Sequence, residues 1–184
     1  MERTMRHSAL LSRLDTFTEC LGRAVSWLLL IMMLVQFAIV ILRYAFNINS
    51  IVAQESVMFL HAVVFMLAAS YTLKHDGHVR VDIFYRRLSM RGRAWIDLLG
   101  TLLLLFPVLI FIAASSLGYV AKSWAILERS PDSGIPVVFL LKSLILVMVV
   151  LLSLQGIAQM IRQVMMLRGR MPSIDTDKEN HNSA

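Results

Sequence analysis

The sequence predicts an all-α integral membrane protein of four transmembrane helices with short amphipathic interfacial helices, and three observations carry that prediction. The first is composition: 58% of the residues are hydrophobic and 16% charged, against roughly half and a quarter in an ordinary soluble domain. The second is a set of four apolar stretches, at about 24–44, 52–73, 94–121 and 136–161. Each meets the roughly 20 residues a helix needs to cross the hydrocarbon core. The third is their character. Long Leu-, Ile- and Met-rich runs satisfy their backbone hydrogen bonds internally as helices, whereas barrel strands are alternating segments of roughly ten residues.

The segment before the first span, residues 1–23, reads as a cytoplasmic N-terminal segment with an interfacial helix. Leu10, Leu14, Phe17 and Leu21 recur at three- and four-residue intervals, with Arg13, Asp15 and Glu19 elsewhere on the wheel. It lacks the immediate apolar core and small-residue cleavage site of a secretory signal and reads as retained. Residues 24–165 form the four-helix transmembrane domain. Between spans two and three, VRVDIFYRRLSMRGR places Val81, Phe84 and Leu88 on one stripe, while Arg86, Arg87, Arg91 and Arg93 can reach lipid phosphates. These arginines are the expected membrane anchors. Pro107 is expected to kink span three, because its ring removes one intrahelical hydrogen bond. In the loop ERSPDSGIP, Pro131 and Gly134 favour a turn, Ser133 can cap, and Pro136 suits the first turn of span four. The tail, 166–184, is small, polar and charged and reads as disordered.

Basic residues set the orientation. Arg3, Arg6, Arg13 and Arg23 precede the first span; Lys74, Arg80, Arg86, Arg87, Arg91 and Arg93 fill the second loop; Arg162, Arg168, Arg170 and Lys178 follow the fourth. The opposite side has Arg43, Lys122 and Arg129. Both termini are therefore expected in the cytoplasm of a cell whose inner membrane holds the chain. A formal charge of +6 is compatible with nucleic-acid binding, but these residues flank apolar segments instead of forming a stripe with interleaved aromatics. Anionic lipid is the expected partner, and nucleic acid is not.

Ionisable groups at membrane depth are costly, so each is a candidate for function. Glu55 lies about one turn into span two, His61 deeper in the same helix, and Lys142 about two turns into span four. Glu55 reads either as a proton or sodium site, or as an interfacial acid near a positive helix N-terminus, at a depth where Lys142 can neutralise it. Its nearness to the interface favours the second. His61 can ligate haem, but haem bridged between helices needs a second ligand at matched depth, and no other histidine is embedded. A buried imidazole hydrogen-bonded across helices is the better expectation. The run HDGHVRVD offers His75, His78, Asp76 and Asp82, with ligand spacing poor for a metal; a turn is favoured, with Asp82 capping a helix and Arg80 pairing with it or with a neighbouring chain. Glu128, in the outer loop, is either a docking charge or a solvated surface acid.

Chemistry of other kinds finds little support. The single cysteine, Cys20, cannot make an internal disulfide, and no spacing suggests zinc, iron–sulfur or c-type haem. There is no phosphate-cradling glycine motif and no Ser or Cys with a paired base. Neither an enzyme nor a resident cofactor is expected. Two other classes fit the residues less well: the membrane anchor of a respiratory oxidoreductase, built on His61, and a small self-sufficient exporter that dimerises around Glu55.

Taken in order, LRYAFN closing span one, SIVAQESVMFL opening span two, AASYTLKHDGHVRVDIFYRRLSMRGRAWIDLLG and ERSPDSGIP resemble the small membrane subunit of tripartite ATP-independent periplasmic (TRAP) transporters, the DctQ-like family, over about residues 20–165. The resemblance implies a subunit that binds a large permease and supports its fixed scaffold, while a periplasmic substrate-binding protein captures an organic anion. Sodium coupling would lie in the large subunit. By that resemblance Glu55, His78, Arg80 and Asp82 match the family pattern and are expected to be structural and interface residues, not substrate ligands.

Overall fold

A computed structural model of the chain describes residues 2–75 and 88–168, with side chains from residue 14 onward. The described residues are helical, with four helices long and apolar enough to span a membrane. In chain order they are α1 (Glu2–Phe46), α2 (Ile51–Lys74), α3 (Met90–Gly100), a π turn (Thr101–Leu105), α4 (Phe106–Ala125) and α5 (Val138–Leu167). Helix α3, the π turn and α4 make up the third span.

Helix α1 differs from expectation. Its 45 residues extend about 68 Å at 1.5 Å per residue, so the N-terminal segment continues the first span and is no separate interfacial helix. The helix has no proline, and its one glycine is used for close approach: a Cβ on Gly22 would lie 2.2 Å from Cδ2 of Tyr71 on α2. Gly22 thus marks where two helices touch instead of where one breaks. The helix ends at Asn47, which adopts φ 52°, the left-handed conformation that asparagine tolerates. The Ile48 N–H then reaches back to the Leu42 carbonyl at 2.9 Å.

Caps fix two later starts. Ser50 accepts from the Ala53 N–H at 3.3 Å to begin α2, and Ser89 accepts from the Gly92 N–H at 3.2 Å to begin α3. Residues 90–93 therefore open the third span, and the rest of the expected interfacial helix at 79–93 lies largely outside the described residues. Helix α5 starts at Val138, so Pro136 stands before it, not in its first turn. Proline does disturb span three, and the disturbance takes a defined form. The Phe106 N–H bonds to the Thr101 carbonyl, five residues back, immediately before Pro107 removes a donor from the ladder.

The helices pack as an open row. Helix α1 lies on α2, α2 on α5, and α5 on α3 and α4; α1 meets α5 to a much smaller extent. Helix α5 is accordingly the centre: 22% of its most apolar stretch is buried, against 6% for that of α1. The core is small, with Val64, Ala94, Leu109, Val149 and Ala158 among its buried members. Lipid tails are as apolar as leucine, so such helices associate through close packing and polar ties instead of hydrophobic expulsion. The polar ties lie at the two ends of the row, here called the link end, where residues 47–50 and 126–137 join the helices, and the terminal end.

Candidate functional site

At the link end the outer loop folds back over α2. Glu55 is buried, and its two carboxylate oxygens accept hydrogen bonds from Ser130 and from Ser133. The loop can present both hydroxyls because it turns tightly. The Gly134 N–H bonds to the Ser130 carbonyl at 3.0 Å, the Ser130 N–H to the Ile135 carbonyl at 2.9 Å, and Gly134 has φ 71°, which glycine adopts without strain. A carboxylate holding two hydroxyl donors is satisfied without a cation, and of the readings open for Glu55 the one in which Lys142 neutralises it is not formed. Ser133 serves the acid instead of capping α5.

Lys142 has another partner. Its ammonium pairs with Glu128 and sits 3.9 Å above the centre of the Tyr119 ring, a cation–π arrangement. Ser123 donates to the same Glu128 oxygen at 2.6 Å. The Lys142 ammonium, and next the Ser123 hydroxyl, hold the Glu128 carboxyl below the usual carboxylate range. Glu128 is therefore an anchored ion-pair member and not a solvated surface acid. The Trp124 indole donates to Ser143 at 2.8 Å and packs edge-on to Phe139, with ring centroids 4.7 Å apart. These contacts tie α4 to α5.

A second network, absent from the sequence expectations, joins α1, α2 and α5 at the terminal end. Lys74 donates to Glu19 at 2.7 Å and to the Asp15 carbonyl at 2.9 Å. The His75 Nε2 lies 2.7 Å from the same Glu19 oxygen, so His75 is engaged in a helix tie. Arg162 donates to the Asp15 carboxylate at 2.5 Å, and Thr18 donates to Gln155 at 3.4 Å. Gln163 donates to Asp97 at 3.3 Å, which extends the network to α3. The signal was present in the spacing: Asp15 and Glu19 are four residues apart and share a helix face. That face meets neighbouring helices.

Of the remaining expected residues, Arg91 and Arg93 lie in the first turn of α3, and the Arg93 guanidinium donates to the Leu88 carbonyl at 3.2 Å. His78, Arg80, Asp82, Arg86 and Arg87 lie outside the described residues. His61 departs from expectation. It is exposed, not buried, and its ring stacks on Phe65 with centroids 6.4 Å apart. Among the described residues no group of three or more His, Cys, Asp or Glu side chains is placed to hold a metal ion. The arrangement as a whole positions helices and a loop.

Comparison with known proteins leads to the same region. A curated relative, the C4-dicarboxylate TRAP transporter small permease protein DctQ of Vibrio cholerae serotype O1, is 30% identical over 105 residues. That match covers 56% of this chain and 45% of the relative, so the similarity spans less than half of the relative's length. No solved structure matches. The family model for the DctQ component of tripartite ATP-independent periplasmic transporters matches residues 32–166, a stretch that contains Glu55, the loop that caps it and the Glu128–Lys142 pair. The four-span architecture and this match agree: the chain is a multi-pass membrane protein belonging to the DctQ family of TRAP transporter small permease subunits.

Proposed function

We propose that the chain is the non-catalytic scaffold of a sodium-coupled TRAP transporter that takes up an organic anion, of carboxylate or sialic-acid type, across a bacterial inner membrane. In this reading a large permease subunit carries the substrate and sodium sites, a periplasmic binding protein delivers the anion, and both termini of this chain face the cytoplasm. The relative named as a C4-dicarboxylate small permease supports the carboxylate class. The uneven distribution of Lys and Arg supports the orientation.

The observation that carries the reading is how the charged side chains at the link end are engaged. Glu55 is held by Ser130 and Ser133, and Lys142 by Glu128. Both fasten elements of this chain to one another, which suits a rigid support better than a site that loads and releases an ion. The apolar trough between α2 and α5, about 240 Å³ and lined by Phe59, Val63, Val137, Leu140, Leu141 and Leu144, has no polar group to orient an anion.

Reconstitution tests the proposal. Liposomes containing the large permease, supplied with binding protein and a sodium gradient, are expected to show at least tenfold slower uptake without this chain; undiminished uptake would overturn the scaffold role. Glu55→Gln is expected to weaken assembly while leaving the number of sodium ions per substrate unchanged. A changed coupling ratio would return Glu55 to the role of an ion site.

A further inference from the structure

Most polar side chains in the middle of the spans have a partner within the chain. Of the exposed ones, Ser26 donates to the Gly22 carbonyl at 2.9 Å and Ser115 to the Phe111 carbonyl at 2.7 Å. Gln36 on α1 and His61 on α2 are different. Both are exposed, and neither hydrogen-bonds another side chain among the described residues.

Their depths match. Gln36 lies ten residues before the end of α1, and His61 ten residues after the start of α2. At 1.5 Å per residue each sits about 15 Å below the link end, near the middle of a hydrocarbon core about 30 Å thick. Each also falls within an otherwise uncovered stripe at helical spacing. On α2 the stripe is Met58, His61 and Phe65; on α1 it is Met33, Gln36 and Val40, with Met58 59% and Phe65 63% exposed. The exposed stretch from the π turn into α4 is lined by Leu103, Leu104, Ile110 and Phe111, and its exposed Ser115 is satisfied by its own helix backbone. A carboxamide and an imidazole facing hydrocarbon at that depth are costly unless another protein satisfies them.

We infer that the α1–α2 face around Gln36 and His61 seats a transmembrane helix of the large permease, which meets these two side chains with hydrogen-bonding groups at mid-bilayer depth. This rests on the scaffold reading above. A second copy of this chain fits less well, because the face is made of projecting side chains such as Met33, Met58 and Phe65, which would meet knob against knob. A partner helix with small residues beside its polar group accommodates them.

The test uses the full chain coexpressed with its large permease. A photo-crosslinking residue at Met58 or Phe65 is expected to give permease adducts, and one at Leu104 or Phe111 is not. Gln36→Leu with His61→Leu is expected to lower the permease retained on purification at least tenfold, with the melting of the chain alone unchanged; His61→Gln should restore much of the retention. Adducts from Leu104 or Phe111 at equal or greater yield, adducts only between copies of this chain, or full retention by the double variant would each overturn the inference while the permease still co-purifies with the unaltered chain. Failure of that unaltered pair to co-purify would overturn the scaffold reading along with it.

Discussion

At the link end one buried carboxylate, Glu55, gathers two hydroxyls from a single loop; at the terminal end α1, α2 and α5 exchange charge through Asp15, Glu19, Lys74, His75 and Arg162. The first arrangement fixes a loop on one helix. The second fixes helices against one another. Their effects are visible in α1, which is bound to its neighbours near Thr18 and Gly22 but exposed at every residue from Val40 to its end. The difference teaches that α1 is held to the bundle from the terminal end, while the link end holds the outer loop to α2 and α4 to α5.

The largest effect expected from breaking that comparison is at Glu55. Glu55→Leu leaves the Ser130 and Ser133 hydroxyls without their acceptor, and Ser130 is buried; the cost is about 2–4 kcal/mol for stranded buried donors. Unfolding in detergent measures it, and limited trypsin digestion at Arg129 localises it. Equal loosening of the terminal end would show that the two regions are not independent. Next is Gly22→Ala, where the new Cβ collides with the Tyr71 ring and forces α1 away from α2 at about 1–3 kcal/mol. Tyr71→Ala in the same chain should recover part of that loss, which separates overpacking from a change in helix propensity.

Smaller effects sharpen the contrast. Asp15 and Arg162 are partly exposed, at 34% and 28% of the side chain, so a double-mutant cycle with Asp15→Asn and Arg162→Met should give a coupling of about 0.5–1 kcal/mol. A coupling near zero would remove this pair from the terminal-end tie. The smallest is a pH effect at the link end. The Glu128 carboxyl is held below its usual value of 4.5 by Lys142 and Ser123, so its contribution is present above that value and lost as pH falls through the lower value of the folded chain. Loop proteolysis with an acid-active protease should therefore accelerate below pH 4.5 in the native chain, and Glu128→Gln should flatten that rise.

The number and order of spans were legible because hydropathy over 20 residues depends little on tertiary context. The packing was less so. Depth alone leaves open whether Lys142 neutralises Glu55, because it carries no sign that a proline–glycine turn brings two serines back across a helix end. The spacing of Ser130 and Ser133 around Pro131 and Asp132 holds that information once the fold of the loop is known. The amphipathic stripe before span one was legible as a pattern, but periodicity cannot say whether a polar face meets lipid headgroups or another helix. The outcome depended on Gly22 and Tyr71, more than 40 residues apart in the chain. The exposure of His61 is not legible from hydropathy, because an apolar span does not reveal which of its faces the neighbouring helices cover.

The π turn before Pro107 carries a consequence for the bookkeeping of the third span. The buried positions Ala94, Thr101 and Leu109 are separated by seven and then eight residues, and an ordinary helix would swing the last of them about 80° out of line at 100° per residue. The wide turn absorbs the surplus residue and brings Leu109 back to face α5. Shortening the chain by one residue among Leu102–Leu104 would therefore leave both halves aimed as they are, whereas the same deletion beyond Phe111 would rotate Val120 and Ser123 away from their neighbours.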